Sequence, residues 1–195
     1  MLREGHRGGY GHRVAYDAVA ESVRLIADGP PAQPVRLSRR RRFAPVAADV
    51  DDDVAATRFL RRSTGCFCDE IHLLVRNGND GWRRLGGGGS SNGYEDRTAE
   101  AFERARNDLS PHQVVVNGGP AVLRDHLLPW TGRWVRAATL LAGGGIAQLV
   151  VGGRRLPIPY HGHLVVVWGS RRPPSVTARD ATGRTVVTVT LSNDR

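Results

Sequence analysis

The chain has 195 residues, enough for one large domain or two small ones, and its 40% apolar content can fill a core without disulfides or metal. All 28 basic residues are arginine, which excludes a Walker-type phosphate loop and Schiff-base chemistry, because both need lysine. The formal net charge of +9 is lopsided: residues 1–109 hold 18 arginines against 16 acids, and residues 110–195 hold 10 against 3.

A lysine-free, arginine-rich chain carries the imprint of a high-GC bacterial coding sequence. Arginine abundance is therefore not by itself a phosphate-binding signal. The basic half will still attract polyanions at low salt through counterion release, while its simplest reading is a set of solvated strand and turn positions.

Residues 1–12 are rich in glycine and histidine and read as a flexible N-terminus. They carry charges but no apolar run of a secretory signal, and with only two cysteines in the chain the expected compartment is a reducing cytoplasm. Residues 13–109 read as a helical region with one hairpin at about 66–85. Val14, Ala18, Val19, Val23 and Ile26 share a helix face, and Asp28-Gly29-Pro30 stops it. Residues 29–53 read as a proline-rich connector running from a basic block, Arg39–Arg42, to an acidic block, Asp49–Asp53. The blocks can neutralise one another, or the basic run can act as a phosphate-contacting arm. A second helix is expected over about 51–62, with Val54, Phe59 and Leu60 apolar.

Residues 67–76 alternate apolar and polar side chains and read as a strand turning back through Asn77-Gly78 and Asp80-Gly81. "GGGGSSNG", residues 86–93, reads as flexible backbone. A third helix is expected over 95–109, with Ala99, Phe102, Ala105 and Leu109 on one face and Ser110-Pro111 closing it.

From residue 110 the chain reads as a basic antiparallel β domain, either separate from residues 66–109 or continuous with them. Short strands are expected around 113–119, 133–142, 146–151, 154–159 and 163–170, with a hairpin over 175–191 that turns at Asp180–Gly183. "HLVVVW" is apolar enough for a central strand, with Trp168 a core tryptophan. The connections are too short for parallel crossovers. The fold class is thus α+β: N-terminal helices and a hairpin, then a C-terminal antiparallel β-sandwich or barrel, an immunoglobulin-like arrangement being one compatible architecture. The longest apolar stretch, residues 137–153, contains Gln148 and five glycines and falls short of a membrane span of ~20 apolar residues.

"GCFCDEIHLLV", residues 65–75, concentrates the chemistry-bearing side chains. On a strand, Cys66, Cys68, Glu70 and His72 share a face and Phe67, Ile71, Leu73 and Val75 face the core. At ~3.3 Å per residue, Cys66 and His72 stand ~20 Å apart, too far for one zinc ion. A Cys66–Cys68 disulfide requires a turn at Gly65–Phe67, because the bridge wants Cβ atoms ~3.5–4.5 Å apart. A zinc site therefore needs a second segment, and "YHGHL" supplies His161 and His163 with the same spacing. Cys66, Cys68, His161 and His163 form the candidate metal set; apart from zinc, no cofactor is implied.

Ser91 in "GSSNG" matches the G-x-S-x-G nucleophile elbow, which needs a strand before it and a helix after. A helix follows, but a glycine run precedes. The acids Glu95 and Asp96 open that helix and would repel a phosphate in the glycine loop. "LPWTGRWVR" places Trp130, Arg133, Trp134 and Arg136 together, a face on which bases can stack or which arginine stems can cover.

Since no catalytic pattern meets its own requirements, the expectation is a non-catalytic binding or interaction protein with a protein partner. The alternative is a basic nucleic-acid-binding module using Arg39, Arg40, Arg41, Arg42, Arg133, Trp134 and Arg136. A zinc-dependent or serine hydrolase is the second alternative.

Overall fold

The computed structural model describes residues 16–33, 37–78, 81–92, 99–124 and 132–192. Residues 1–12, Glu95, Asp96 and Trp130 lie outside them. Helix α1 (Ala18–Asp28) begins where the Asp17 carboxylate accepts the amides of Val19 and Ala20 at 2.9 and 3.1 Å. It ends at Gly29, whose φ of 76° only glycine adopts without strain.

The strands that follow, β1 (Phe43–Asp51), β2 (Val54–Arg62), β3 (Phe67–Arg76) and β4 (Trp82–Asn92), form one antiparallel meander, the first sheet. Helix α2 (Ala99–Asn107) comes next. The second sheet runs β10 (His163–Trp168), β7 (Trp134–Ala142), β5 (Val114–Asn117), with β6 (Ala121–Leu123) also beside β7. The third sheet runs β12 (Thr185–Thr190), β11 (Ser175–Arg179), β8 (Gln148–Val151), β9 (Arg154–Pro157). All pairing is antiparallel and each sheet is open, so a sandwich describes the strands and a barrel does not. Among the described residues no helix is long and apolar enough to cross a membrane.

Side-chain parity explains the stacking. On β7 and β10, Val135, Ala137, Val165 and Val167 pack with the first sheet, in a core shared with Val54, Ala56, Leu73 and Val75. The intervening Ala138, Leu140, Leu164, Val166 and Trp168 pack with Leu149, Val151, Val176 and Ala178 of the third sheet. The second sheet is thus buried on both faces, which is why "HLVVVW" shows no polar alternation. Helix α1 covers the far face of the first sheet: Ser22 meets Thr57 and His72 there, and Tyr16 packs against Phe43 and Phe59.

Three expectations are corrected by this arrangement. Residues 54–62 form strand β2, not a helix. Its positions from Val54 to Leu60 are all buried, because helix α1 lies on one side and the second sheet on the other, so no strand-like alternation survives to be read. The connector ends early, and β1 begins at Phe43; Pro45 is tolerated because β1 is an outer strand of its sheet and bulges between Pro45 and Ala47. Finally, "GGGGSSN" is ordered as β4. A Cβ at Gly87 would collide with the Ile71 carbonyl oxygen, and one at Gly89 would lie 2.5 Å from that of Asp69. On the other side, a Cβ at Gly86 would meet Val122 at 2.9 Å and one at Gly88 would meet Pro120 at 3.2 Å. The glycines let β4 lie tight between β3 and the β6 segment.

The acidic block is also partnered differently from the sequence expectation. Asp49 is 3% exposed and accepts both the Val167 amide and an Arg154 guanidinium nitrogen at 2.9 Å. Arg154 also donates to Asp51 and to the Val167 carbonyl, and Arg124 pairs with Asp53 at 2.5 Å. Asp49, Val167 and Arg154 come from the first, second and third sheets, so this junction ties all three. Burial raises the Asp49 pKa despite these partners. The ion pair therefore specifies how the sheets meet more than it stabilises them.

Asp49→Ala leaves the Val167 amide without its acceptor and removes one of the acceptors of Arg154, and should cost about 3 kcal/mol by chemical denaturation, while Asp49→Asn, which keeps an oxygen, should cost about 1 kcal/mol. Gly87→Ala should cost at least about 2 kcal/mol in the same measurement, because the obstacle is backbone and cannot rotate away.

Candidate functional site

Arg58 sits in β2 among Val54, Ala56 and Leu60, so strand parity turns it toward the second sheet. It is 6% exposed and needs an opposite charge. Asp69 on β3 supplies it: Arg58 Nε and Nη2 donate to the two carboxylate oxygens at 2.9 and 2.7 Å. The third nitrogen, Nη1, lies 3.4 Å from His163 Nδ1. A guanidinium only donates, so in this contact Nδ1 is the accepting atom.

These groups line a cleft of about 710 Å³ between the first and second sheets. Ile71, Leu141, Phe102 and Pro120 give it apolar walls; Ser90, Asn117 and Thr139 add polar groups. Phe102 of α2 lies with its ring centroid 4.3 Å from that of His163. Gly88, Gly89, Gly118 and Gly119 contribute bare backbone to the rim.

His161, two residues away, does different work. Its Nδ1 accepts the His163 amide at 3.0 Å, and its other nitrogen bonds the Val46 backbone. It is 2% exposed. Burial, then the nearby Arg58 charge, push its pKa down to about 4. Arg106 donates to the carbonyls of Pro159 and Tyr160 and so pins the loop that carries it.

A second cleft, of about 580 Å³, lies on the other face of the first sheet and is lined by Tyr16, Arg61, Cys68, Glu70, His72, Arg84 and Ser91. Arg61 pairs with Glu70 at 2.6 Å. His72 Nε2 lies 3.7 Å from Glu70, and His72 Nδ1 is 3.3 Å from Ser22 Oγ. The order serine, histidine, carboxylate resembles a hydrolytic triad. Yet Ser22 is fully buried and its hydroxyl is 2.7 Å from Thr57 Oγ1, so the group docks α1 and offers no open nucleophile. Burial lowers the His72 pKa, and burial with the Glu70 charge raises that of Tyr16.

No family model matches the chain, and no curated protein and no solved structure matches it significantly.

The residues singled out from sequence fall as follows. Cys66 and Cys68 are free thiols, with Cys68 on the α1 side of the first sheet, while His163 faces the cleft between the sheets. Sheet one separates the cysteine pair from the histidine pair, and among the described residues no group of three metal-ligating side chains assembles. The four-residue zinc set is therefore not brought together. Ser91 lies within β4 opposite Cys68, inside a strand and not at an elbow. Arg39, Arg40, Arg41 and Arg42 are exposed; Ser38 Oγ accepts the amides of Arg40 and Arg41 at 3.2 and 3.0 Å, and Arg42 reaches the Arg62 carbonyl. Arg136 lies over the Trp134 ring at 5.5 Å, and Arg133 is exposed. Sequence reasoning missed Arg58 and Asp69. The signal was present as an arginine inside "VAATRFL", an apolar run, but its partner is on another strand.

The neutral, buried His161 makes stability pH-dependent. Its folded pKa lies below the unfolded value of 6.5, so the folded state binds fewer protons and stability is lost as pH falls from about 6.5 toward 4. Wild type should lose about 3 kcal/mol more than His161→Gln between neutral pH and pH ~4, measured by urea denaturation.

Proposed function

We propose that the chain is a non-catalytic binding protein whose ligand occupies the cleft between the first and second sheets. The single observation that carries this reading is the bidentate Arg58–Asp69 pair, with His163 against it, set in the wall of a cleft of about 710 Å³ that also presents apolar side chains. A few convergent polar groups on apolar walls, at this volume, suit a small organic ligand. The charges of Arg58 and Asp69 oppose one another, so the pair offers the cleft directed donors and acceptors with little net charge. The ligand this favours is uncharged, with a flat apolar body against Phe102 and a polar end toward Arg58 and His163.

The non-catalytic reading is supported by how the histidines are used. His161 is engaged through both nitrogens, and Ser22, the hydroxyl beside His72, is buried under α1. The basic nucleic-acid reading draws on one observation, the exposed run Arg39–Arg42; polynucleotide retained at low salt and released as salt rises would favour it over the cleft.

A fragment library screened by heteronuclear NMR tests the cleft. Hits are expected to shift the resonances of Phe102, Thr139 and His163 together. Ala105→Trp, which fills the cleft from α2, should weaken those hits at least about tenfold. Hits that ignore Ala105→Trp, or a library without any hit at these residues, would overturn the assignment.

A further inference from the structure

On the face of the first sheet nearest α1, Cys68, Glu70 and His72 alternate along β3, and opposite them on β4 stand Ser91, Gly89 and Gly87. The two glycines bring no side chain to this face, which opens the floor of the 580 Å³ cleft. Arg84, opposite Leu74 in the same register, lines the cleft too. The charges here do not cancel. Arg61 Nε and Nη2 both hold Glu70 Oε1, at 2.7 and 2.6 Å. Glu70 Oε2 stands 3.7 Å from His72 Nε2, longer than a normal hydrogen bond, and keeps capacity to accept. Asp69 turns its carboxylate to Arg58, on the opposite face. Arg84 is exposed and, among the described residues, meets no carboxylate; its hydrogen bond is a long one, 3.4 Å, to the Gly86 carbonyl. Just before α1, the Tyr16 ring is fixed against Phe43 with centroids 4.9 Å apart, yet its hydroxyl is buried with no hydrogen-bond partner among the described residues. Buried polar atoms are rarely left that way. Burial, then the Glu70 charge, raise the Tyr16 pKa, so the hydroxyl keeps its proton and can donate.

We propose that this cleft binds a small hydroxylated carboxylic acid, with its carboxylate held by Arg84 and the Tyr16 hydroxyl and its own hydroxyls held by Glu70 Oε2, Ser91 and the bare β4 backbone. The carboxylate follows from the charge count. Arg61 and Glu70 answer each other, which leaves one guanidinium and so one positive charge for a ligand. A neutral ligand would not use that charge, and a second anionic group would meet Glu70. The hydroxyls follow from the lining, which presents a carboxylate oxygen, a serine and glycine backbone where an apolar ligand would need side-chain walls. Strand β4 is the last of its sheet, so the outer side of its backbone lies outside the ladder and can take part. The site is on the opposite face of the first sheet from the Arg58 cleft and does not depend on what that cleft binds.

The test uses the full chain, D-glucuronate as the probe and D-glucose, which lacks the carboxylate, as the comparison, at matched ionic strength and read by heteronuclear NMR. Glucuronate should shift the amides of Tyr16, Gly87 and Ser91 saturably, with a Kd of about 1 mM or below, and leave Phe102 and Thr139 of the other cleft unmoved. Glucose should bind at least about tenfold more weakly. Arg84→Gln, at an exposed position, should weaken glucuronate at least about fivefold. Tyr16→Phe should weaken it at least about threefold without lowering the melting temperature, because the hydroxyl it removes is buried without a partner among the described residues. Should Tyr16→Phe fail to fold, Arg84→Gln and the glucose comparison decide. The proposal is overturned by no saturable shift up to ~20 mM, by equal affinity for glucose, by binding indifferent to Arg84→Gln, or by shifts confined to Arg39–Arg42, which would mark non-specific attraction to a basic chain.

Discussion

The burial of the Asp49 carboxylate at the meeting point of three sheets is the constraint on which the rest of the molecule depends. Each sheet contributes one group: Asp49 from β1, the Val167 peptide from β10 and Arg154 from β9. The outer edge of β10 is thereby given a side-chain acceptor where a neighbouring strand would otherwise supply a carbonyl. Desolvation opposes the charge, as the raised pKa of Asp49 indicates. Hydrophobic contact alone does not specify how three sheets align, because apolar faces can slide over one another. A buried, directional junction removes that freedom.

With the alignment set, the second sheet becomes the centre of the fold. Its strands present one set of side chains to each neighbour, and the alternating positions of β7 and β10 belong to two separate cores. The first sheet then repeats the arrangement one layer out, with α1 on its far side. Clefts open where the layers diverge. The larger lies between the first two sheets around Arg58 and His163; the smaller lies on the α1 side around Arg61, Cys68 and His72. The glycine run of β4 lines both, because only a strand without side chains fits between β3 and the β6 segment.

Polar chemistry in this protein is largely turned inward. Asp69 holds Arg58, His161 holds the His163 amide, and Ser22, Thr57 and His72 fasten α1 to the sheet. The acids at 49, 51 and 53 bind arginines of the C-terminal half, not the basic run at 39–42. Two arginines of the basic half, Arg124 and Arg154, thus pair with acids that the first half carries on β1 and its turn.

What the sequence determined by itself was what depends on neighbours in the chain. The capped and glycine-stopped helix α1, the alternating strand β3 and the hairpin β11–β12 follow from local pattern and turn chemistry, whereas β10, expected as a central strand, stands at the edge of its sheet and is apolar because both its faces are covered. The tertiary structure decided whatever depends on a partner far along the chain. Strand β2 has no period because two different layers bury its two faces, so its helical appearance was an accident of spacing. Gly86–Gly89 became a strand because β3 and the β6 segment leave room for nothing larger. Arg58 found its carboxylate across a strand pair. Local sequence encodes which way a side chain faces; only the assembled layers decide what it faces.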